Sequence, residues 1–264
     1  MNKIDYDFLK EIECWLLDMD GTIYLDDQLV DGAEDFLRFL IEKKRRFLFL
    51  TNNSSKSAAA YVQKLHSLGL SFITEEHVFT SGQATIAYVL KHFPNKKVFL
   101  LGTADLEREF IHSNVLLAED PEVIILGFDT TLTYQKLWKT CDLIRKGLPY
   151  VATHPDLNCP VKDGFMPDIG SIIAFVKAST GRDPDVIIGK PNLPMLHAIS
   201  ERINVDFSKI IMVGDRLYTD IALGERGIRT VLVLSGETKM EDLQNSPFHP
   251  DLVVHTIVDL IGKF

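Results

Sequence analysis

Cys14-Trp15-Leu16-Leu17-Asp18-Met19-Asp20-Gly21-Thr22 is the stretch on which the fold turns. Four apolar residues, too few for a helix, stop at an acidic pair. Such a run reads as a strand buried on both faces. It ends at Asp18, and Gly21 lets the chain turn sharply just beyond it.

Outward from this strand the pattern alternates. Ala33, Phe36, Leu37, Leu40 and Ile41 recur at helical spacing. Residues 47–50 form the next apolar run and end at Thr51. Ser54 and Ser55 are placed to cap a helix carrying Tyr61, Val62, Leu65 and Leu68, with Gly69 at its end. The order β-α-β-α predicts an α/β fold, a Rossmann-like parallel sheet covered by helices. The grammar returns late in the chain. Strands are expected at 186–188, 210–213, 230–234 and 252–254, with helices at 193–203 and 218–226. The middle also alternates, with strands near 98–101, 123–126 and 150–152, but without acidic punctuation at the strand ends. Residues 1–80 and 184–264 are therefore expected to form a discontinuous core, with residues 81–183 inserted as a second α/β domain. Trp15 and Trp138 read as core residues.

The chain has 264 residues, 46% hydrophobic and 25% charged, the balance of a globular protein. No apolar run is long enough to span a bilayer, and residues 1–10 carry both signs of charge without an apolar signal segment. A cytoplasmic protein with no membrane partner is expected. The net charge of -9 argues against nucleic acid as a partner, but not against small phosphorylated metabolites, which need only a local positive site. Cys14, Cys141 and Cys159 are far apart and odd in number, so neither a disulfide framework nor a zinc site is expected. Lys43-Lys44-Arg45-Arg46 reads as cations at the C-terminal end of a helix.

In an open parallel sheet, ligands bind at the carboxyl ends of the strands. Four expected core strands end in Asp18-Met19-Asp20-Gly21-Thr22, Thr51-Asn52-Asn53, Gly189-Lys190-Pro191 and Gly214-Asp215, the last followed by Thr219-Asp220. Singly, each has an ordinary explanation: acids at strand ends form turns, threonines cap helices, and lysines sit in solvent. Their joint order is what carries chemistry. Asp18 and Asp215, with Asp20 and Asp220 nearby, would repel one another unless a cation intervened. Mg²⁺ suits such a set, since it takes a few carboxylates, several waters and a substrate phosphate. Lys190 supplies a second positive charge. Asp18 is then the nucleophile that forms an acyl-phosphate. Asp20 is the general acid and base, protonating the departing alcohol and later activating water. Thr51 and the start of the Asn52–Asn53 loop are placed to bind phosphoryl oxygens.

Asp18-x-Asp20-Gly21-Thr22, Thr51, Lys190 and Gly214-Asp215-x-x-x-Thr219-Asp220 resemble, in order, the four motifs of the haloacid-dehalogenase superfamily. Leu50-Thr51-Asn52-Asn53-Ser54, Gly189-Lys190-Pro191 and Val233-Leu234-Ser235-Gly236 resemble its subfamily IIA, the sugar-phosphate and nitrophenyl-phosphate phosphatases with a large α/β cap. The resemblance covers essentially the whole chain. It implies a phosphatase in which Asp18 and Asp215 bind Mg²⁺ by side chain and Asp20 by its backbone carbonyl. It also implies that Asp220 orients the ligands and that Lys190 holds nucleophile and phosphate. A homodimer through the cap is compatible with it. Ala152-Thr153-His154-Pro155-Asp156 resembles the subfamily's Asn-Pro-Asp segment, with His154 where Asn is common. Pro167-Asp168-Ile169-Gly170-Ser171 resembles its Pro-Gly-x-Gly-Ser segment, with Asp168 at a usual glycine position. His154 and Asp156 are thereby expected where the cap faces the leaving group, and are candidates for substrate selection.

Three other functions fit part of the pattern. A phosphotransferase or mutase would pass the phosphoryl group to a sugar; the large cap leans against it. A phospho-accepting signalling module also gathers aspartates, a Thr and a Lys, but lacks a second Asp two residues past the nucleophile and lacks an insertion of this size. A catalytically idle binding protein would not require the complete motif set.

Overall fold

The computed structural model describes residues 6–161 and 164–264; the first five residues of the charged N-terminal stretch lie outside them. Along the chain come β1 (Cys14–Leu17), a small hairpin of β2 (Tyr24–Leu25) and β3 (Gln28–Leu29), α1 (Ala33–Glu42), β4 (Arg46–Thr51), α2 (Ala58–Ser67) and β5 (Val78–Thr80). Next are α3 (Ser81–His92), β6 (Lys97–Leu101), α4 (Ala104–His112), β7 (Leu116–Leu117), β8 (Val123–Leu126), α5 (Tyr134–Arg145) and β9 (Tyr150–Ala152). The hairpin β10 (Asn158–Val161) and β11 (Gly164–Pro167) leads to α6 (Ile169–Thr180), β12 (Val186–Ile187) and α7 (Leu193–Ile203). β13 (Ile210–Gly214), β14 (Arg229–Val233) and β15 (Leu252–Val254) follow, linked by short 3-10 turns.

Two compact units result. One comprises Met1–Leu50, Val62–Phe79 and Ile199–Phe264, the other Thr51–Tyr61 and Thr80–Ala198. The six-stranded sheet of the first has the order β15-β14-β13-β1-β4-β5. Its pairings from β15 to β4 are parallel. Every residue of β1 is buried, as its unbroken apolar run requires. Trp15 packs edge-on against Phe36 at 5.5 Å and stacks on Phe264 at 4.7 Å. α1 turns Ala33, Phe36, Leu37 and Leu40 inward, while Ile41, on the edge of that stripe, is left exposed. Each large apolar side chain so buried contributes about 1.5–3 kcal/mol. The basic run does follow the end of α1. Arg45 donates to the carbonyls of Ile12 and Lys10, and Arg46 to that of Ile203, so two of its four cations tie the helix end down.

The second unit holds a five-stranded parallel sheet in the order β12-β9-β8-β6-β7. Its core joins Ile124, Leu126, Ile144, Tyr150, Ile169 and Val176. Four sequence expectations need correction. The strand leading to Lys190 was expected in the first sheet; β12 instead pairs with β9, extended by backbone bonds from Ile188 to Ala152 and from Gly189 to Thr153. A two-residue strand carries no periodicity that could assign it. The N-terminus of α2 is held by Ser57, whose Oγ accepts from the Ala60 N–H, not by Ser54 or Ser55. Residues 218–226 give a 3-10 segment, Ile221–Arg226, rather than a full helix. Trp138 is 63% exposed on α5 and is no core residue. No helix among the described residues is long and apolar enough to cross a membrane; Cys14 and Cys141 are buried and Cys159 is half-buried.

Candidate active site

In the six-stranded sheet, β1 lies between β13 and β4. The chain builds outward from β1 in one direction first and later in the other, so the carboxyl ends around β1 open a crevice. The Asp18 N–H continues the β1–β13 ladder by donating to the Val213 carbonyl at 2.9 Å. Asp18 thus lies beside the end of β13, level with Gly214 and one residue short of Asp215. One carboxylate oxygen from each of Asp18, Asp215 and Asp220 falls within 4.8 Å of the others. Asp215 and Asp220 are buried and Asp18 is half-buried.

The Asp215 carboxylate is fixed on one oxygen and unsatisfied on the other. Oδ2 accepts from the Glu237 N–H at 2.6 Å; Oδ1 is buried and accepts no hydrogen bond. Burial, then the charges of Asp18 and Asp220, push the Asp215 carboxyl up to about 8. A β-carbon added at Gly21 would lie 2.3 Å from Oδ2, and one at Gly236 2.0 Å from it. Two backbones therefore close on this carboxylate, and Gly21 also holds φ +86°, a conformation suited to glycine. Asp220 Oδ2 accepts from the Arg216 N–H at 3.2 Å, and its carboxyl fills the place a side chain at Gly214 would take. The Arg216 guanidinium pairs with Glu237 at 3.0 Å.

Asp20 lies in the turn after β1, where the Ile23 N–H bonds the Met19 carbonyl and the Gly21 N–H bonds the Tyr24 carbonyl. Tyr24 Oη donates to Asp20 Oδ2 at 3.3 Å. The Lys64 ammonium lies 4.0 Å from Oδ1 and 3.8 Å above the Tyr24 ring centre. The side chain is 62% open to solvent, yet burial by the protein around it, with the Asp18 charge, raises its pKa. Tyr24 and Lys64 were not foreseen. Lys64 falls on the polar side of the α2 periodicity, where a lysine reads as solvated.

In the second unit, the Thr51 hydroxyl oxygen accepts from the Asn53 N–H at 3.1 Å. Asn52 and Asn53 were expected to meet phosphate through the backbone N–H groups at the start of their loop; the Asn52 side chain is committed to the protein. Its Oδ1 accepts from the Lys190 N–H at 2.7 Å, and its Nδ2 donates to the Lys190 carbonyl and to Asp156 Oδ1, each at 3.0 Å. Asn53 is likewise occupied, with Oδ1 accepting from the N–H and hydroxyl of Ser55. His154 and Asp156 were expected to face a leaving group. His154 is instead fully buried, with Nδ1 3.6 Å from Asp156 and Nε2 3.4 Å from Asp168. The two positions that depart from the subfamily pattern, 154 and 168, are thus neighbours. Burial alone would raise the pKa of Asp156, but His154, the Asn52 amide and Lys190 together hold it below the usual carboxylate value.

Two family models match the chain: haloacid dehalogenase-like hydrolase over residues 15–115 and HAD-hydrolase-like over residues 187–260. An acid sugar phosphatase of Staphylococcus aureus is 34% identical over 245 residues, covering 92% of this chain and 94% of that protein. Among solved structures, a 4-nitrophenylphosphatase from Thermotoga maritima superimposes with a TM-score of 0.92 at 49% identity, covering 96% of this chain and 97% of that one. NagD from E. coli superimposes with a TM-score of 0.88 at 26% identity, covering 96% and 99%.

Proposed function

The chain belongs to the haloacid dehalogenase-like hydrolases, subfamily IIA, and from that premise we propose that it is a Mg²⁺-dependent phosphatase hydrolysing small phosphomonoesters, sugar phosphates among them, through an aspartyl-phosphate on Asp18. The observation that carries this is the carboxylate cluster at the ends of β1 and β13, with a buried Asp215 oxygen that accepts no hydrogen bond. Buried acceptors are rarely left without a partner, and adjacent carboxylates need a positive charge among them. A hard divalent cation with oxygen ligands answers both. Asp18 and Asp215 would hold it by side chain and Asp20 by its carbonyl, while Asp220, beneath Gly214, keeps that loop in shape. The ion would neutralise the carboxylates and polarise a phosphoryl oxygen.

The chain's own groups supply the rest. A carboxylate oxygen of Asp18 attacks phosphorus as the ester P–O bond breaks, and Asp20 gives its proton to the departing alkoxide. Its raised pKa favours the protonated form that this step needs. Asp20, now ionised, takes a proton from water, which attacks the acyl-phosphate and releases inorganic phosphate and free Asp18. The Thr51 hydroxyl, whose oxygen accepts from the Asn53 N–H, would still have its own proton to donate to a phosphoryl oxygen. Lys190 balances the added negative charge.

Phosphate release from a panel of small phosphomonoesters, measured with Mg²⁺ and with EDTA, tests this. Chelation should reduce release about 100-fold or more. No release from any ester, with stable phosphorylation of the protein by a phosphodonor, would refute hydrolysis and favour group transfer.

The Asp215 carboxyl also sets a pH dependence. An unfolded Asp ionises near 3.9, whereas here the group titrates at about 8. Between these values the unfolded chain holds fewer protons than the folded one, so metal-free stability falls as pH rises through the window. Bound Mg²⁺ removes the penalty. Thermal unfolding from about pH 5 to about pH 8 should show Tm in EDTA falling and the increment given by Mg²⁺ growing. An increment that is constant with pH would contradict this account.

A further inference from the structure

Asn52 and Lys190 are 138 residues apart, yet the Asn52 amide makes reciprocal hydrogen bonds to the Lys190 main chain. An amide side chain has one accepting end and one donating end. Here a carboxylate settles which is which. Asp156 Oδ1 accepts from Nδ2 at 3.0 Å, and an ionised carboxylate can only accept. With the amide turned over, its oxygen would face the Asp156 carboxylate and its NH₂ would face the Lys190 N–H. Both contacts would be repulsive.

Asp156 is itself held in place. Its other oxygen faces His154 Nδ1, while Nε2 of the same fully buried ring faces Asp168 Oδ1. Asp168 is buried and caps α6, accepting from the Ile169 N–H at 2.6 Å. The Gly170 N–H bonds the Asp156 carbonyl at 2.8 Å, and a β-carbon at Gly170 would strike that carbonyl and the Pro155 carbonyl. A β-carbon at Gly189 would lie 2.6 Å from both Asn52 Oδ1 and His154 Cβ. The backbone is shaped to let these side chains meet.

We propose that Asp156 is a positioning residue: it fixes the orientation of the Asn52 amide and, through it, the main chain of Lys190, so that the lysine is held ready for a phosphate group. His154 and Asp168 steady Asp156 from behind and need no contact with substrate. The phosphate role of Lys190 is taken from the function proposed above.

The test compares Asp156→Asn, Asn52→Asp and the double swap Asn52→Asp/Asp156→Asn in the full-length Mg²⁺-loaded protein. Hydrolysis of 4-nitrophenyl phosphate gives kcat and KM, and hydrogen exchange at the Lys190 amide reports its hydrogen bond directly. Each single variant should lose about 10–100-fold in kcat, with a smaller change in KM, and exchange Lys190 faster. In the swap, the carboxylate at position 52 again accepts from the Lys190 N–H and from the amide at position 156, although the Lys190 carbonyl loses its donor. Both kcat and protection should therefore partly return. Wild-type kcat and exchange in Asp156→Asn would overturn the proposal, as would a swap no better than the worse single variant. If Asp156→Asn does not fold, a folded swap supports the reciprocal pair and an unfolded swap overturns it. A wild type that hydrolyses no ester would sink the phosphatase function, while the exchange data would still decide the role of Asp156.

Discussion

Asp18→Asn should abolish turnover, by a factor of about 10³ or more, equivalent to about 4 kcal/mol of barrier. The amide keeps the shape of the side chain and its place beside the end of β13, so the fold is preserved. It loses the ionised oxygen that would attack phosphorus. The same substitution removes one of three crowded carboxylates, so the metal-free protein should be at least as stable as the wild type, since a like-charge repulsion is relieved. The two readouts belong together. Phosphate release from an active ester should vanish while Tm in EDTA stays level or rises. A variant retaining more than about a tenth of wild-type turnover would eliminate Asp18 as nucleophile.

Gly236→Ala should damage the site almost as severely, from a residue with no side chain. The added carbon would stand 2.0 Å from Asp215 Oδ2, where the Glu237 N–H now makes its 2.6 Å bond. No rotation removes the clash, because Gly21 closes the opposite side. Asp215 must leave its position, or the loop must back away and give up that hydrogen bond. The Mg²⁺ concentration for half-maximal activity should rise about 10–100-fold, the scale on which disturbing a ligand's support acts. The overpacking should cost about 1–3 kcal/mol in denaturant unfolding. Gly224→Ala is the control, since its added carbon would meet Thr230 at 3.4 Å, an ordinary contact. Equal metal requirements in Gly236→Ala and wild type would show that Asp215 does not hold the ion.

Much of the candidate site was legible because it follows from local patterns. An apolar run that ends in Asp fixes where a buried parallel strand stops, and parallel strands deliver their carboxyl ends to one edge. Asp18 and Asp215 were therefore expected together, and they are found so. Asp220 joined them through a short segment whose spacing survived the change from an expected helix to a turn and a 3-10 segment. Gly21 was expected to turn the chain and does so at φ +86°.

What escaped the sequence lies in contacts that no local pattern encodes. β12 has two residues and no periodicity, so its sheet is chosen by the backbone groups waiting beside β9. Asn52 meets Asp156 across 104 residues and Lys190 across 138. Lys64 occupies a polar helix position, yet lies over Tyr24 and near Asp20 because of where α2 packs. His154 looked like a loop residue awaiting a substrate; packing buried it, and a buried imidazole between two carboxylates faces those partners rather than solvent. The sequence by itself determined which strands form and which residues punctuate their ends, because burial and turning are decided by neighbours along the chain. The tertiary structure alone decided which polar side chains answer one another, because hydrogen bonds and charges select partners by distance in space, and segments far apart in sequence supply them.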